Sequence, residues 1–249
     1  MSMDVVDLRA FYHGRLGQVV RRILRAKLRA RFGDVAGLRV LGAGFAAPFL
    51  GVFREEAERV LVFMPAEQGV MDWQSDRGTA SALVEEEMWP LPDAAVDRII
   101  LVHALENADD PRELLRECWR CLAPGGKMVV VVPNRRGAWS RIEATPFGHG
   151  RPYSRGQLTN LLRDAQFAPV HWTEALMFPP IERGMILRSA LWLERAGASL
   201  WAPFCGVHIV EATKQVYTPV RVKKKATKKR RIEIPEPVLV PGGAVNTKR

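Results

Sequence analysis

Residues Leu38–Leu50 read LRVLGAGFAAPFL. Apolar residues lead into a glycine-alanine-glycine turn and then into a run of small and apolar residues. The pattern predicts a short strand at Leu38–Leu41, a glycine loop, and a helix over Ala46–Phe53. Such a junction turns unpaired backbone N–H groups toward a ligand. Gly42, Gly44 and Ala47 satisfy the spacing G-x-G-x-x-A of dinucleotide-binding folds. A nicotinamide cofactor also requires a carboxylate at the tip of the second strand. That strand, Arg59–Met64, ends in Phe63-Met64-Pro65, and the nearest acid is Glu67. The stretch points to a nucleotide-type α/β fold and away from a dehydrogenase.

On either side of this loop, apolar strands alternate with helical segments. Strands are expected at Ala80–Val84, in VDRIILVHAL from Val96, in KMVVVVPN from Lys127, in APVHWTEALMF from Ala168 and in GVHIVEATKQVY from Gly206. The run DDPRELLRECWRCLAPGG predicts a helix with Pro111 in its first turn and its exit at Gly125-Gly126. SRGQLTNLLRDAQF predicts another, capped by Ser154. This order implies a parallel sheet covered on both faces, with two late strands as an antiparallel pair at the edge.

Three regions stand outside that alternation. Val5–Phe32 has apolar residues at helical spacing, with most arginines and lysines off the apolar stripe. Such a helix either packs on its own domain or binds RNA or a membrane. Pro179–Phe204, with Met185, Ile186, Leu187, Leu191, Trp192, Leu193 and Trp201, reads as an amphipathic lid, a dimer contact or a membrane-surface helix. Residues 219–249 are basic and then rich in Pro and Gly, and are expected to be disordered. The resulting division is a helical extension over 1–37, a domain over 38–218 with its insertion at 179–204, and a tail over 219–249.

The net charge is +10, and apolar residues make up 47%. The run Arg221–Arg231, RVKKKATKKRR, supplies eight basic residues, which leaves 29 basic against 27 acidic elsewhere. The folded part is thus nearly neutral. The run either contacts nucleic acid, ribosome or anionic lipid, or serves as a solvated tail. No stretch of about 18 apolar residues is present, so no membrane-spanning helix is expected. The N-terminus lacks the apolar core of a secretory signal, and the three cysteines have no framework spacing. These features suit a cytoplasmic protein. Cys118-x-x-Cys121 lacks a second pair and is not expected to bind zinc.

Five segments in order resemble the class I S-adenosylmethionine-dependent methyltransferases, most closely the small type 11 methyltransferase-domain group. They are the glycine loop, VEEEMWPLPDAAVDRI, LVHALENADDP, LRECWRCLAPGGKMVVVVPN and YSRGQLTNLLRDAQF. The resemblance spans roughly Leu38 to Phe167. It implies a Rossmann-like α/β fold: a mostly parallel seven-stranded sheet, helices on both faces and an antiparallel edge strand. It also implies S-adenosylmethionine as methyl donor. The implied cofactor-binding residues are Gly42, Ala43, Gly44 and Ala46 in the loop, Met64 at the second strand's tip, and Glu85 with Glu86 after the third. The sequence departs from the family at Val40 and Met64, where acids are usual, and at Ala46, where a third glycine is usual. Glu67 is a candidate to reach back toward the ribose.

Methyl transfer from a sulfonium is an in-line displacement, so the protein mainly aligns donor and acceptor in a dry site. A base is needed only where the acceptor loses a proton. Open α/β sheets bind ligands at the carboxyl ends of their strands. His103, Glu106 and Asn107 follow the fourth strand there, and His149, Arg151 and Tyr153 lie in the long loop after the fifth. His103, His149 and Tyr153 are the catalytic candidates; Glu106, Asn107 and Arg151 are the acceptor-binding candidates. The plainer reading is that His103 is simply buried and His149 caps a turn. The expected function is methyl transfer to a small molecule first, or to RNA or protein second. The alternative is a non-catalytic binding protein that uses residues 221–231 to contact RNA, ribosome or a protein partner.

Overall fold

Continuous apolar runs, buried on both faces, build the centre of the sheet. The computed structural model describes residues 3–66, 69, 74–75, 78–200 and 205–216. Its seven-stranded sheet comprises β1 (Arg39–Gly44), β2 (Arg59–Pro65), β3 (Ser81–Val84), β4 (Val96–Val102), β5 (Leu122–Pro133), β6 (Phe167–Ala175) and β7 (Val207–Lys214). The spatial order is β3-β2-β1-β4-β5-β7-β6. β1 to β5 pair in parallel, and β7 runs antiparallel to both β5 and β6. The expected antiparallel pair at the edge is therefore β6–β7, with β7 the inverted strand. A separate ribbon pairs Gln74–Ser75 with Gly78–Thr79.

Alternation divides the core into two layers. Val40, Ile100, Val102, Val129, Val131 and Ile209 face one layer. Leu41, Ile99, Leu101, Met128, Val130 and Val210 face the other. Helices α4 (Pro111–Cys121) and α5 (Arg155–Asp164) cover the second layer, with Leu114, Leu115, Leu158 and Leu162 buried there. Asp110 caps α4 with Pro111 in its first turn, and Ser154 with Gln157 forms a capping box on α5. Cys118 and Cys121 are buried on the inner side of α4, and burial pushes the Cys121 thiol up to about 11.

The first layer is covered by α1 (Val5–His13), α2 (Arg15–Phe32), α3 (Ala47–Leu50) and α6 (Gly184–Leu200). Leu16, Val20, Leu24, Leu28 and Phe32 recur at helical spacing on α2 and are all buried. Each buried leucine of this kind contributes about 1.5–3 kcal/mol. Most basic residues of α2 lie off that stripe, as the sequence pattern predicts, while half-buried Lys27 turns inward. The long insertion holds α6, whose Ile186, Leu187, Ala190 and Leu193 pack on the same layer. Buried Glu194 of α6 pairs with Lys27 of α2 at 3.0 Å.

Three boundaries differ from the expectation. β1 runs through the glycines to Gly44, because Gly42 and Ala43 pair with both neighbouring strands. The helix after it is short, ending at Leu50 and continuing as a 3-10 turn, Gly51–Phe53. α4 ends at Cys121 rather than at the glycine pair, because Leu122 already pairs with Val96 of β4. Glu67, residues 201–204 of the insertion and the tail over 219–249 lie outside the described residues.

Candidate active site

The carboxyl ends of β1 and β4 lie side by side. Gly44 pairs with Val102, and the Phe45 amide donates to the Val102 carbonyl at 2.8 Å. Gly44 has φ +73, and a Cβ there would stand 2.4 Å from the Val102 oxygen. A Cβ on Gly42 would stand 2.5 Å from Leu50 Cδ1 and 2.7 Å from the Ala46 methyl. Both glycines thus let backbone and helix approach closely. Ala43, Ala46 and Met64 are buried beside them.

His103 follows β4 in the left-handed region, φ +51, and is 1% exposed. Its two ring nitrogens join groups that are far apart in sequence. Nδ1 lies 3.2 Å from Glu106 Oε1, and Nε2 lies 2.7 Å from the Tyr12 hydroxyl. Burial, and then the Glu106 charge, raise the Tyr12 pKa well above its ordinary value of 10.0. The phenol therefore keeps its proton and donates it to Nε2. Nδ1–H then donates to the carboxylate, which fixes the tautomer.

Aromatic rings wall this chain. Tyr12 stacks on Phe45 with centroids 5.5 Å apart and planes at 16°, and meets Phe49 edge-on. The Phe147 ring lies 4.8 Å from the His103 ring and edge-on to Trp139. Trp139 Nε1–H donates to the Phe178 carbonyl at 2.7 Å. α1 thus lies as a cover over the glycine loop.

Two buried acceptors at the site have no hydrogen-bond partner among the described residues: Glu106 Oε2 and Asn107 Oδ1. The Asn107 amide donates to the His103 carbonyl at 3.1 Å. A bare carboxylate oxygen in a dry site is costly unless a cation or donor meets it. The loop after β5 reaches the same place through its backbone, with the Arg151 amide donating to the Glu106 carbonyl at 2.7 Å. Tyr153 is half-buried, its hydroxyl 3.4 Å from the Leu105 carbonyl. Burial, and secondarily Glu106, push its pKa up to about 12, so it stays a neutral phenol.

The structure brings together His103, Glu106, Asn107 and Tyr153 of the expected set. His149 is not brought to them, and Arg151 reaches them only through its charge, which partly offsets the upward shift at Tyr153. His149 Nε2–H donates to the Glu143 carbonyl at 2.7 Å within its own loop, and the Arg151 side chain is exposed. This is the turn-capping role for His149. Glu85 is exposed at the end of β3, and Glu86 accepts from the Asp109 amide at 3.1 Å. Tyr12 escapes the sequence reading as a site residue. Tyr12 reads as one more apolar position in a helical stripe, and its polar tip is the only hint.

Residues 36–172 match the family profile described as a methyltransferase domain, more than half of the chain. The chain belongs to the methyltransferase-domain family. A probable S-adenosylmethionine-dependent methyltransferase from Mycolicibacterium smegmatis is 39% identical over 80 residues, 31% of each chain. A demethylmenaquinone methyltransferase from Thermus thermophilus is 28% identical over 137 residues, 53% of this chain and 54% of its own. The chain thus spans about a third to a half of the length of these curated relatives. Among solved structures, the putative methyltransferase bound to the Trm112 activator from Haloferax volcanii superposes with a TM-score of 0.61. It is 18% identical, over 86% of this chain and 100% of that one, and shows the fold alone.

The donor named for the first relative fits the residues of the site. S-adenosylmethionine carries a sulfonium and an ammonium, and Glu106 Oε2 offers a positive group a buried carboxylate oxygen without a hydrogen-bond partner among the described residues, beside His103 at the end of β4. Val40 and Met64 are each 1% exposed within the apolar core and bring no carboxylate to the ribose side. The charge of the site is therefore concentrated at the end of β4.

Proposed function

We propose that this protein transfers a methyl group from S-adenosylmethionine to a small molecule whose reacting group gives up a proton to a Tyr12–His103–Glu106 chain. The observation that carries the reading is the buried chain itself, with contacts of 2.7 and 3.2 Å beside Gly44. When bound, the donor supplies an activated methyl group. Gly42, Ala43, Gly44 and Ala46 provide the close backbone approach to it, and Glu106 Oε2 the opposing charge. As the acceptor's proton passes to the Tyr12 oxygen, the phenol's own proton passes to His103 Nε2. Glu106 stabilises the resulting imidazolium. Asn107 and Tyr153 lie at the same strand end and would orient the acceptor. Arg151 is exposed on the same loop as Tyr153, and His149 is half-buried there. Tyr12 is 1% exposed, so donor and acceptor enter by displacement of α1.

A small-molecule acceptor is favoured by the demethylmenaquinone methyltransferase relative. No helix among the described residues is long and apolar enough to cross a membrane. A second reading, a methyltransferase-like binding protein, draws on the commitment of the Phe45 amide to Val102 and on the buried Val40 and Met64.

Calorimetry on the full chain distinguishes the two. Micromolar binding of S-adenosylmethionine and S-adenosylhomocysteine, weakened about tenfold or more in Glu106→Gln, is expected for the enzyme. No binding at millimolar ligand overturns the enzyme reading.

A further inference from the structure

The site leaves one strongly charged surface unused. α2 carries seven basic residues and no acidic one. Its outer stripe runs Arg15–Gln18–Arg22–Arg25–Arg29, one side of a helix by spacing. Beside it, a groove of about 780 Å³ opens between α2 and α6, with Arg15, Arg22, Arg25 and Arg188 around a floor of Val19 and Leu187. These four arginines have no ion-pair partner among the described residues, whereas Arg29 pairs with Glu56 at 2.7 Å. One exposed acid, Glu182, stands near the Gly14 end.

α6 continues the surface with a different chemistry. Met185, Arg188, Trp192 and Arg195 follow one another at intervals of three and four residues on its outward side. Met185 is 84% exposed and Trp192 68% exposed. Leu191 and Ile181 are exposed alongside.

We infer that the α2–α6 face docks the protein on an anionic phospholipid surface. Unpaired arginines around an apolar floor are complementary to lipid phosphates above acyl chains. A methionine and a tryptophan interleaved with arginines form the stripe that settles at the headgroup boundary, the arginines reaching back to phosphate. A nucleic-acid groove would instead place stacking rings along the cationic track. Here the exposed apolar residues sit on the adjacent helix or just before it, and three of the four have no ring.

The test is co-sedimentation of the full chain with vesicles of phosphatidylcholine alone and of equal parts phosphatidylcholine and phosphatidylglycerol. Binding is expected to the anionic vesicles only. Arg22→Glu with Arg25→Glu should weaken it at least about tenfold, and Trp192→Ser about fivefold, with unchanged melting temperature because these side chains are exposed. A full-length variant with Lys223, Lys224, Lys225, Lys228 and Lys229 changed to Gln should retain the sensitivity to the α2 substitutions. Equal binding to both vesicle types overturns the inference. So does vesicle binding that depends on the five lysines and ignores Arg22 and Arg25. So does loss of single-stranded RNA binding in the arginine variants with vesicle binding intact.

Discussion

The Tyr12 hydroxyl lies 2.7 Å from His103 Nε2, joining residues 91 positions apart across the end of the sheet. The contact ties the cover helix α1 to the strand end that carries the site. Tyr12→Phe removes the hydroxyl that meets the buried Nε2. Urea denaturation should show a loss of about 1–3 kcal/mol. Nitrogen NMR of the wild-type His103 ring should show the Nδ1–H tautomer. A dominant Nε2–H form would reverse the donor order and remove the proposed proton path.

Gly44 and Gly37 both have positive φ, +73 and +68, but their surroundings differ. A Cβ on Gly37 meets nothing within 4 Å, while one on Gly44 strikes the Val102 carbonyl at 2.4 Å. Gly37→Ala should therefore cost only the left-handed strain, about 1–2 kcal/mol. Gly44→Ala adds a collision between two central strands and should cost about 3 kcal/mol or more, or prevent folding. Equal losses in thermal melts would mean that the β1–β4 junction is not packed as described.

His208 sets an acid-stability window. Burial first, and the Arg155 charge second, hold its pKa down to about 4, against 6.5 ordinarily. The folded state therefore favours neutral His208. Its contribution is complete above pH 6.5 and falls as pH drops toward 4, because the unfolded chain takes up the proton first. The slope there should be about 1.4 kcal/mol per pH unit from this residue. His208→Gln should flatten stability against pH across that window. An unchanged slope in the variant would assign the effect elsewhere.

Arg120 ties the segment before β4 to α4. It donates to the Leu91 and Trp89 carbonyls at 2.7 and 3.1 Å and to Glu117 Oε2 at 2.9 Å. Glu117 also accepts from the Trp89 amide at 2.7 Å. The arginine side chain is 32% exposed, so solvent screens part of the pair. Arg120→Met should destabilise by about 1–3 kcal/mol, less than the 3–5 of a fully buried pair. Proteolysis should then cut first near residues 89–95. Wild-type stability in the variant would reduce the network to a surface decoration.

Much of this molecule is legible locally. Continuous apolar runs give β4 and β5, the Asp110-Pro111 start and the Ser154 cap give α4 and α5, and the segment order gives the family. Ends of elements are less legible, because pairing across the sheet decides them. β1 extends through Gly44 and β5 begins at Leu122 for that reason. Of the site, His103, Glu106 and Asn107 follow from their place after β4. His149 looks equivalent in sequence, yet its ring turns back to Glu143.

By itself, the sequence determined the sheet-and-helix alternation, the glycine junction and the uneven charge, because each is written in neighbouring residues. Only the tertiary structure decided that Tyr12 reaches His103, that Glu106 keeps one buried oxygen unbonded, and that α2 and α6 share one arginine-lined groove. Those relations join residues tens to hundreds of positions apart. Chain closure and packing of the whole core set them, and no local periodicity records the result.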